Sequence, residues 1–380
     1  MGGAVARWRQ LVRGLVDGRD VILAGAPLAG FWRRVEHLRE AGARRVLCIA
    51  NGLGTGPVPE GDDVVSLLVD LGAAGIIEEF RAWERLFADP PQDVADALDR
   101  FDPRHDALVL LLPFQAAQSV AGRPAFGGRR PEWVALEDKT TCDALFDRAG
   151  VPRPPSTIVP ATADALQHAA RDLDQGDGTV WAGDASRGFN GGGEYVRWLR
   201  DAGDGDIDAA AHFFAEHCDA VRVAPFLEGI PSSIHGLVCN DGVAALRPVE
   251  LVTLRPPSGN RFRYAGAATF WDPPPRDRDA MRDAAQRVGA LLRDEVDYRG
   301  AFTIDGVLAA NGWVPTELNP RFGAGLGYGY GALPDVPLDL LHHLVIEGDR
   351  SVRAADLEAV ILPAADRVRW GGGWTTVPQR

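Results

Sequence analysis

The chain has 380 residues, of which 46% are hydrophobic and 24% charged; this is an ordinary globular composition, and the length suggests two or three domains or subdomains. The formal net charge of −13 argues against a nucleic-acid surface, and with no long apolar run or signal peptide we expect a cytoplasmic protein without membrane or nucleic-acid partners. The 4 cysteines form no C-x-x-C pair, so neither a zinc site nor a disulfide framework is indicated.

The N-terminal third of the sequence alternates short apolar strands with helical patterns. Residues 21–25, 45–50 and 107–113 read as buried strands, and residues 31–41 read as a helix between the first two. This order predicts an α/β domain with a parallel sheet. The glycine clusters at residues 25–30 and 51–56 do not fit a dinucleotide-binding loop, so we interpret both as turns.

Lys139 is the single lysine of the chain, since the other 39 of the 40 basic residues are arginine. Such a bias suggests that this position needs a compact ammonium, although chance survival on a solvated surface is the alternative. A connector at residues 122–131 precedes it, and the pattern at residues 137–149 predicts a helix stopped by Gly150 and Pro152. Lys139 would then lie in the first helical turn, where a phosphate is favourable.

A glycine-rich loop between two strands occupies the centre of residues 179–196. Gly191, Gly192 and Gly193 would let the backbone N–H groups approach a phosphate, and Arg187 would supply charge. A loop without a ligand is the alternative. Further along, His235 stands among apolar residues and is interpreted as a packed histidine.

Residues 246–264 read as a strand followed by an irregular basic loop. Arg247, Arg255 and Arg263 belong to it and would clamp a substrate carboxylate; the alternative is a solvated loop whose arginines reflect the coding bias. Residues 277–292 predict an amphipathic helix with Met281, Ala284, Val288 and Leu291 inward.

Residues 301–321 predict a β-hairpin turning near Asn311-Gly312. A two-residue Asn-Gly loop would set Asp305 opposite Leu318, whereas a three-residue loop of residues 310–312 would set it opposite Glu317. We expect the three-residue loop, or an equivalent bulge, because one face then carries two carboxylates and the Asn319 amide, an oxygen set suited to Mg2+. The alternative is that Glu317 is an edge-strand surface charge.

The residues after the hairpin are rich in glycine up to residue 331, too flexible for a regular element. Tyr328 or Tyr330 could contact an acceptor amine. A helix is predicted at residues 338–346, and residues 369–377 could add an edge strand.

Three cues follow in chain order: Asp138-Lys139 at the head of a helix that ends Gly-Val-Pro, the glycine-rich loop, and Glu317-Leu-Asn319-Pro-Arg321 twelve residues after Asp305. Together they resemble the ATP-grasp superfamily over residues 130–345. The resemblance implies an N-terminal parallel-sheet α/β domain followed by a two-lobed ATP-grasp domain with antiparallel sheets. The domains would be residues 1–128, a linking helix and lid lobe at 129–223, a metal-binding lobe at 224–350, and an extension at 351–380.

The resemblance also implies a role for each candidate residue. Asp305, Glu317 and Asn319 would hold Mg2+, with Mn2+ as an alternative, and Arg321 would be the catalytic cation that neutralises the transferring phosphoryl group. The ATP-binding residues would be Lys139, Arg187, Gly191, Gly192, Gly193, Ala224, Phe226, Leu227 and Glu228, the last four forming a hinge against adenine. The family usually has a second lysine where this chain has Trp181 and Ala182, and Arg187 would replace it.

The expected chemistry is phosphoryl transfer from ATP to a small-molecule carboxylate, followed by attack of an amine to give an amide or peptide bond. The alternatives are a carboxylase or carboxylate kinase on the same scaffold, and a nucleotide-binding regulatory protein without turnover. A homodimer is one oligomeric state that the sequence leaves open. The substrate contacts would come from Arg247, Arg255, Arg263 and Tyr328.

Overall fold

A computed structural model describes residues 2–188, 191, 193–200, 204–255, 259–327, 333–334 and 336–373. The chain divides into two compact units, the first comprising Met1–Pro131, Cys239–Asp241 and Leu333–Val360, and the second comprising Glu132–Val238, Gly242–Ala332 and Ile361–Arg380. The division of the chain into four domains stays a prediction. Within the described ranges, no helix has the length and apolar character needed to cross a membrane.

The first unit is built on a parallel sheet, as the alternation of apolar strands and helices predicted. Its strands are β1 (Asp20–Ala26), β2 (Arg45–Ala50), β3 (Val64–Leu68) and β4 (Leu108–Leu111), in the order β3-β2-β1-β4. β1 pairs in parallel with β2 and β4, and β2 with β3. Strands β1, β2 and β4 are buried almost throughout, as continuous apolar runs in a parallel sheet should be.

Helices cover this sheet and complete the core of the first unit. They are α1 (Gly2–Val16), α2 (Trp32–Glu40), α3 (Ile76–Ala88) and α4 (Gln92–Phe101). Trp83 and Phe87 of α3 are fully buried in a cluster with Ile22 and Val109 of the sheet. A short β5–β6 ribbon (Ser119–Val120 and Arg123–Pro124) and α5 (Pro131–Val134) follow.

The second unit contains two antiparallel sheets. The smaller consists of β7 (Thr157–Pro160), β8 (Thr179–Gly183), β9 (Val196–Leu199) and β10 (Ala220–Pro225), in the order β7-β10-β8-β9. Short α6 (Cys142–Arg148) precedes this sheet, and α7 (Ala163–Leu173) and α8 (Asp204–His217) lie between its strands in sequence. Trp181 of β8 packs against Phe214 of α8, with ring centroids 6.2 Å apart.

The larger sheet has seven strands. They are β11 (Ile230–Val238), β12 (Val243–Ala245), β13 (Val249–Leu254), β14 (Arg263–Ala268), β15 (Gly300–Ala309), β16 (Gly312–Asn319) and β17 (Gly371–Gly373). Their order is β16-β15-β11-β13-β14-β17, and β12 also pairs with β11. The predicted edge strand at the end of the chain is therefore present, as β17 on β14; residues 374–377 of that prediction lie outside the described residues.

Three further helices lie in the part of the chain described after residue 268. α9 (Pro275–Val296) buries Met281, Ala284 and Val288 as predicted, but Leu292 rather than Leu291 is the fully buried leucine of its last turns. α10 (Leu338–Ile346) has the predicted bounds, and α11 (Ala354–Arg367) follows it. Residues 324–327, predicted to be too flexible for a regular element, form a 3-10 turn.

Candidate active site

The hairpin of β15 and β16 sets Asp305 directly opposite Glu317, as predicted. The predicted three-residue loop is wrong. Ala309 pairs with Gly312, so residues 310 and 311 form the loop, and the register shifts by one residue between Asp305 and Gly306. Thr316 is the extra residue of this bulge, and its hydroxyl donates to the Asp305 carbonyl at 3.2 Å. The bulge, rather than the turn, brings the two carboxylates to one face.

The strand beside the hairpin extends the polar face. Ser233 of β11 pairs with Asp305, and its hydroxyl donates to the Asp305 carboxylate. On the other side, Asn319 donates its amide N–H to Asp305 Oδ2 at 2.8 Å, while its amide oxygen accepts from Arg321 Nη2 at 2.9 Å. Asp305 thus sits at the centre of a hydrogen-bonded group whose members lie on three adjacent strands and the segment just after them.

The protonation of Asp305 reflects its surroundings. Desolvation and the facing Glu317 carboxylate raise the pKa of Asp305 to about 6, against the opposing effects of the Ser233 hydrogen bond and the charges of Arg321 and Lys139. Tyr264 of β14 is also affected by this carboxylate. Burial, and then the negative charge of Asp305, raise the pKa of Tyr264 to about 12. Two carboxylates facing each other favour a cation between them.

Lys139 forms an ion pair with Glu317. Its predicted place in the first turn of a helix is wrong, since α6 begins three residues later, at Cys142, and Lys139 lies in the turn before it. The reason is local. The Asp138 carboxylate accepts from the backbone N–H and the hydroxyl of Thr140, at 2.8 and 2.7 Å, and such an Asx turn competes with helix formation. Lys139 is 8% exposed and reaches the hairpin from this turn.

Arg321 follows the hairpin and is held by a second buried carboxylate. Its Nε lies 3.1 Å from Glu137 Oε1, and the two residues are 9% and 5% exposed. Glu137 stands two residues before Lys139. The segment ahead of α6 therefore supplies both a cation to Glu317 and an anion to Arg321, which fixes the side chains of the hairpin from outside the sheet.

The same segment is bound to the base of the glycine-rich loop. Asp138 Oδ2 accepts from the backbone N–H of Ala185 at 3.1 Å. Within the loop, Gly193 has a φ of 75°, a conformation that favours glycine; Gly191 belongs to a turn, and Gly192 lies outside the described residues. Arg187 is half exposed and its guanidinium pairs with Asp219 at 3.1 Å and with the Glu216 carbonyl. Glu216 lies in the last turn of α8, and Asp219 lies just before β10.

Arg222 is a buried cation of this region that the sequence analysis missed. It lies on β10 opposite Ala182 of β8, and its Nε donates to Asp143 Oδ2 of α6 at 2.8 Å. Burial raises the pKa of the neighbouring Cys142 thiol to about 11, and the charges of Arg222 and Lys139 both oppose that rise. The two cations therefore flank the start of α6. Arg222 Nη2 is buried, and no residue that the structure describes accepts a hydrogen bond from it.

The predicted hinge, residues 224–228, lies where β10 leads into β11. Ala224 is the penultimate residue of β10, and Phe226 and Leu227 follow the strand. The Phe226 ring stacks on Trp198 of β9 with centroids 4.1 Å apart. Glu228 is exposed and pairs with Arg255 at 2.7 Å, so the hinge is braced by an aromatic stack at one end and an ion pair at the other.

The remaining substrate candidates are dispersed. Arg247 is 4% exposed and is bound by Asp272 and Asp366, while Arg255 pairs with Glu228. The expected irregular loop is in part regular: β13 and β14 occupy residues 249–254 and 263–268, which places Arg263 at the exposed start of a strand. Tyr328 lies outside the described residues. A role for these side chains in substrate binding stays a prediction.

His235 is a packed residue. It is buried, its Nδ1 lies 2.8 Å from the Thr303 hydroxyl, and burial lowers its pKa to about 3. Gly323 and Gly325 pack on this ring so closely that a Cβ on Gly325 would lie 2.4 Å from the imidazole Nε2. The glycines after the hairpin therefore allow the chain to cross directly over β11 and β15.

Four residues of this region were not predicted: Ser233, Tyr264, Glu137 and Arg222. Ser233 stands two residues before His235, so strand alternation could have placed both on one face. Arg222 stands alone between apolar residues of a buried strand, and a charge in that position signals a buried partner. For Tyr264 and Glu137 the sequence holds no comparable signal.

The oxygen set around Asp305 fits a divalent cation. Among the described residues, no group of three or more His, Cys, Asp or Glu side chains could hold a metal. A metal here would instead be held by the Asp305 and Glu317 carboxylates with the Asn319 amide, a hard-oxygen set that suits Mg2+. The amide would have to exchange its hydrogen bond with Arg321 for a bond to the metal.

Solved structures share this architecture. No protein-family model matches the chain, and no curated protein sequence matches it either. An L-amino acid ligase from Bacillus licheniformis is 14% identical with a TM-score of 0.56, over 91% of this chain and 77% of the ligase. A carboxyaminoimidazole ribonucleotide synthase from Aspergillus clavatus, complexed with ATP, is 14% identical with a TM-score of 0.54, over 92% and 80%.

A third similar structure is the biotin carboxylase domain of the Hydrogenobacter thermophilus 2-oxoglutarate carboxylase, solved with MgADP and bicarbonate. It is 14% identical with a TM-score of 0.57, and the match covers 89% of this chain and 72% of that one. These proteins are ATP-grasp enzymes. The chain therefore shares the mixed α/β fold of these enzymes, with a parallel sheet in its first unit and antiparallel sheets in the second.

Proposed function

We propose that the protein is an ATP-dependent ligase that joins a small-molecule carboxylate to an amine and releases ADP and phosphate. The observation that carries the proposal is the polar face of the hairpin, where Asp305 and Glu317 oppose each other with Lys139 and Arg321 beside them. On an ATP-grasp scaffold, that face combines an oxygen set for Mg2+ with cations for phosphate.

In this proposal each side chain has a separate task. Asp305, Glu317 and Asn319 would hold Mg2+, which would supply charge neutralisation at the nucleotide phosphates. Lys139, whose ammonium pairs with Glu317, would bind those phosphates. Arg321, anchored by Glu137, faces the phosphoryl group in transfer. The glycine-rich loop excludes water from the reacting groups.

The reaction has two balanced steps. A carboxylate oxygen of the acid attacks the γ-phosphorus of ATP, the bond to the β-phosphate oxygen breaks, and ADP leaves, giving an acyl-phosphate. The amine nitrogen then attacks the acyl carbon, phosphate leaves with the electron pair of the C–O bond, and the nitrogen loses a proton. A cation at the position of Arg321 stabilises the transferring group in the first step and the leaving phosphate in the second.

The test is ADP release by the purified protein with MgATP, a panel of carboxylic acids, and amino acids as amines. The proposal expects ADP formation that requires both an acid and an amine, with a product whose mass equals their sum less one water. ADP formation that depends on bicarbonate would favour a carboxylase, and ADP formation with the acid alone a carboxylate kinase. ATP binding without ADP release would favour a regulatory protein.

A pair of variants ties the activity to the hairpin. Glu317→Gln should abolish amine-dependent ADP release. Glu250→Gln is the matched control, because Glu250 lies in the same sheet but pairs with Ser232, and so projects from the face opposite that of Ser233 and Asp305. Equal activity in both variants would contradict the assignment of this face.

A further inference from the structure

Arg222 is the feature of the second unit that the proposed function leaves unused. It is 5% exposed, on the central strand pair of the smaller sheet. Its Nε is engaged by Asp143, but its Nη2 is buried without a hydrogen-bond partner among the residues that the structure describes. Buried guanidinium groups are normally bonded throughout, so an open donor suggests a missing acceptor.

The strand pairing shows which way Arg222 points. Trp181 pairs with Val223 on one side and with Arg197 on the other, so these three side chains share a face. That face packs on α8, through Trp181 against Phe214 and through Arg197, whose guanidinium carbon lies 4.0 Å from the Phe213 ring centroid. Arg222 pairs with Ala182 and therefore projects from the opposite face, away from α8.

The opposite face meets the segment formed by residues 138–143. Asp143 of this segment binds Arg222, Lys139 binds Glu317 of the hairpin, and Asp138 binds the backbone N–H of Ala185 at the base of the glycine-rich loop. One short stretch of chain thus joins the buried arginine, the single lysine and the loop. A ligand that contacts Lys139 and the loop would lie beside Arg222.

We infer that Arg222 is a phosphate-binding residue for the nucleotide, an inference that rests on the proposed function. Its open Nη2 donates to a phosphate oxygen while Asp143 holds the Nε and fixes the plane of the guanidinium. Neither Trp181 nor Ala182 of β8 can supply a cation. Arg222 lies on the neighbouring strand and on the same face as Ala182, so Arg222 supplies the phosphate-binding cation at this position. Arg187 does not, because its guanidinium is engaged by Asp219 and the end of α8.

The experiment measures MgATP affinity by isothermal titration calorimetry, with no turnover required. Wild type is compared with Arg222→Met, Arg222→Lys and the double variant Arg222→Met/Asp143→Asn. Arg197→Met is the matched control, since it removes another buried arginine of the same sheet from the face that packs on α8. Circular dichroism and thermal unfolding establish that each variant is folded.

We expect Arg222→Met to weaken MgATP binding about tenfold or more, Arg222→Lys to weaken it less, and Arg197→Met to leave it within about threefold of wild type. The double variant separates phosphate binding from neutralisation of Asp143. It contains no unpaired carboxylate, so it remains informative even if Arg222→Met does not fold, and it should still bind MgATP about tenfold more weakly.

Two results would overturn the inference: wild-type affinity in Arg222→Met, or affinity restored in the double variant, which would make Arg222 only the counter-ion of Asp143. A wild-type protein that binds no MgATP would overturn the proposed function itself. That outcome is distinct, because it is seen before any variant is compared.

Discussion

In the first unit, Asp20 accepts hydrogen bonds from Arg44 and Arg45, whereas in the second unit Asp305 faces another carboxylate, Glu317. Burial would raise the pKa of Asp20, but the two arginines outweigh it and lower that pKa to about 2. For Asp305, desolvation and the like charge raise the pKa to about 6. The first arrangement stabilises the fold by itself, whereas the second would be stabilised by a bound cation, as the proposed function requires.

The difference lies in how each carboxylate is satisfied. Asp102 of the first unit accepts from Arg123 Nε at 2.8 Å and from the backbone N–H of Asp106 at 3.0 Å, so its charge is matched in place. The Arg123 guanidinium also bonds Asp99 and two carbonyls. At the hairpin, Lys139 pairs with Glu317 and Arg321 pairs with Glu137, but the Asp305 and Glu317 carboxylates still face each other. A buried acid paired with a base indicates a structural role, whereas two acids that face each other indicate a binding site.

The largest effect should come from breaking a matched pair in the first unit. Arg123→Met leaves Asp102 buried without its main partner, and we expect the free energy of unfolding to fall by about 3–5 kcal/mol. Urea denaturation would measure it. Arg104→Met is the control, because its ion pair with Asp106 is exposed, and it should cost less than about 1 kcal/mol. Equal losses in the two variants would contradict the comparison.

Removing a charge at the hairpin should preserve the stability of the protein and reduce its activity. Asp305→Asn relieves the repulsion with Glu317, so its free energy of unfolding should equal or exceed that of wild type. ATP-dependent turnover should nevertheless fall about 100-fold or more, because a proposed Mg2+ ligand is lost. Chemical denaturation and an ADP-release assay on the same preparation test both halves. A variant that is less stable by more than about 1 kcal/mol would show that Asp305 is a structural residue.

A substitution of Lys139 tests whether the site needs a compact ammonium or only a positive charge. Lys139→Arg keeps the charge next to Glu317 but replaces a compact ammonium with a planar group, and we expect MgATP affinity to fall roughly tenfold. Calorimetry gives the affinity directly. Wild-type affinity in this variant would mean that the lysine survived the arginine bias of the sequence by chance.

The smallest effect concerns the pH dependence of the first unit. With a folded pKa near 2 against about 3.9 in unfolded chains, Asp20 stabilises the protein above pH 4, and the stabilisation is lost as the pH falls toward 2. Both arginines are about half exposed, so we expect Asp20→Asn to cost only about 1 kcal/mol at pH 7. The difference between variant and wild type should shrink steadily below pH 4 in acid denaturation. A difference that stays constant to pH 2 would exclude the ion pair as its cause.

Local patterns predicted the fold well wherever a side-chain period determined the element. The apolar runs of β1, β2 and β4 and the helix at residues 338–346 follow from such periods, whereas the opposition of Asp305 and Glu317 was predicted from a turn that the chain does not form. Three features do not follow from such periods. The turn around Lys139 depends on the Asp138 side chain competing for backbone hydrogen bonds, and the bulge at Thr316 is a shift that no residue type specifies. The pairing of Arg222 with Asp143 joins residues 79 positions apart, which only the folded chain brings together.

The bulge at Thr316 also sets how this stretch of chain tolerates changes in length. Because Asp305 pairs with Glu317 and Gly306 with Pro315, Thr316 has no partner of its own across the hairpin. Deleting Thr316 would leave every existing pair intact, whereas deleting a paired residue such as Val307 would shift one strand and send its side chains to the opposite face. Of the eleven residues between Asp305 and Glu317, Thr316 is thus the one that can be removed without changing the pairing. A hairpin of this kind can present both carboxylates on one face with eleven residues between them or with ten.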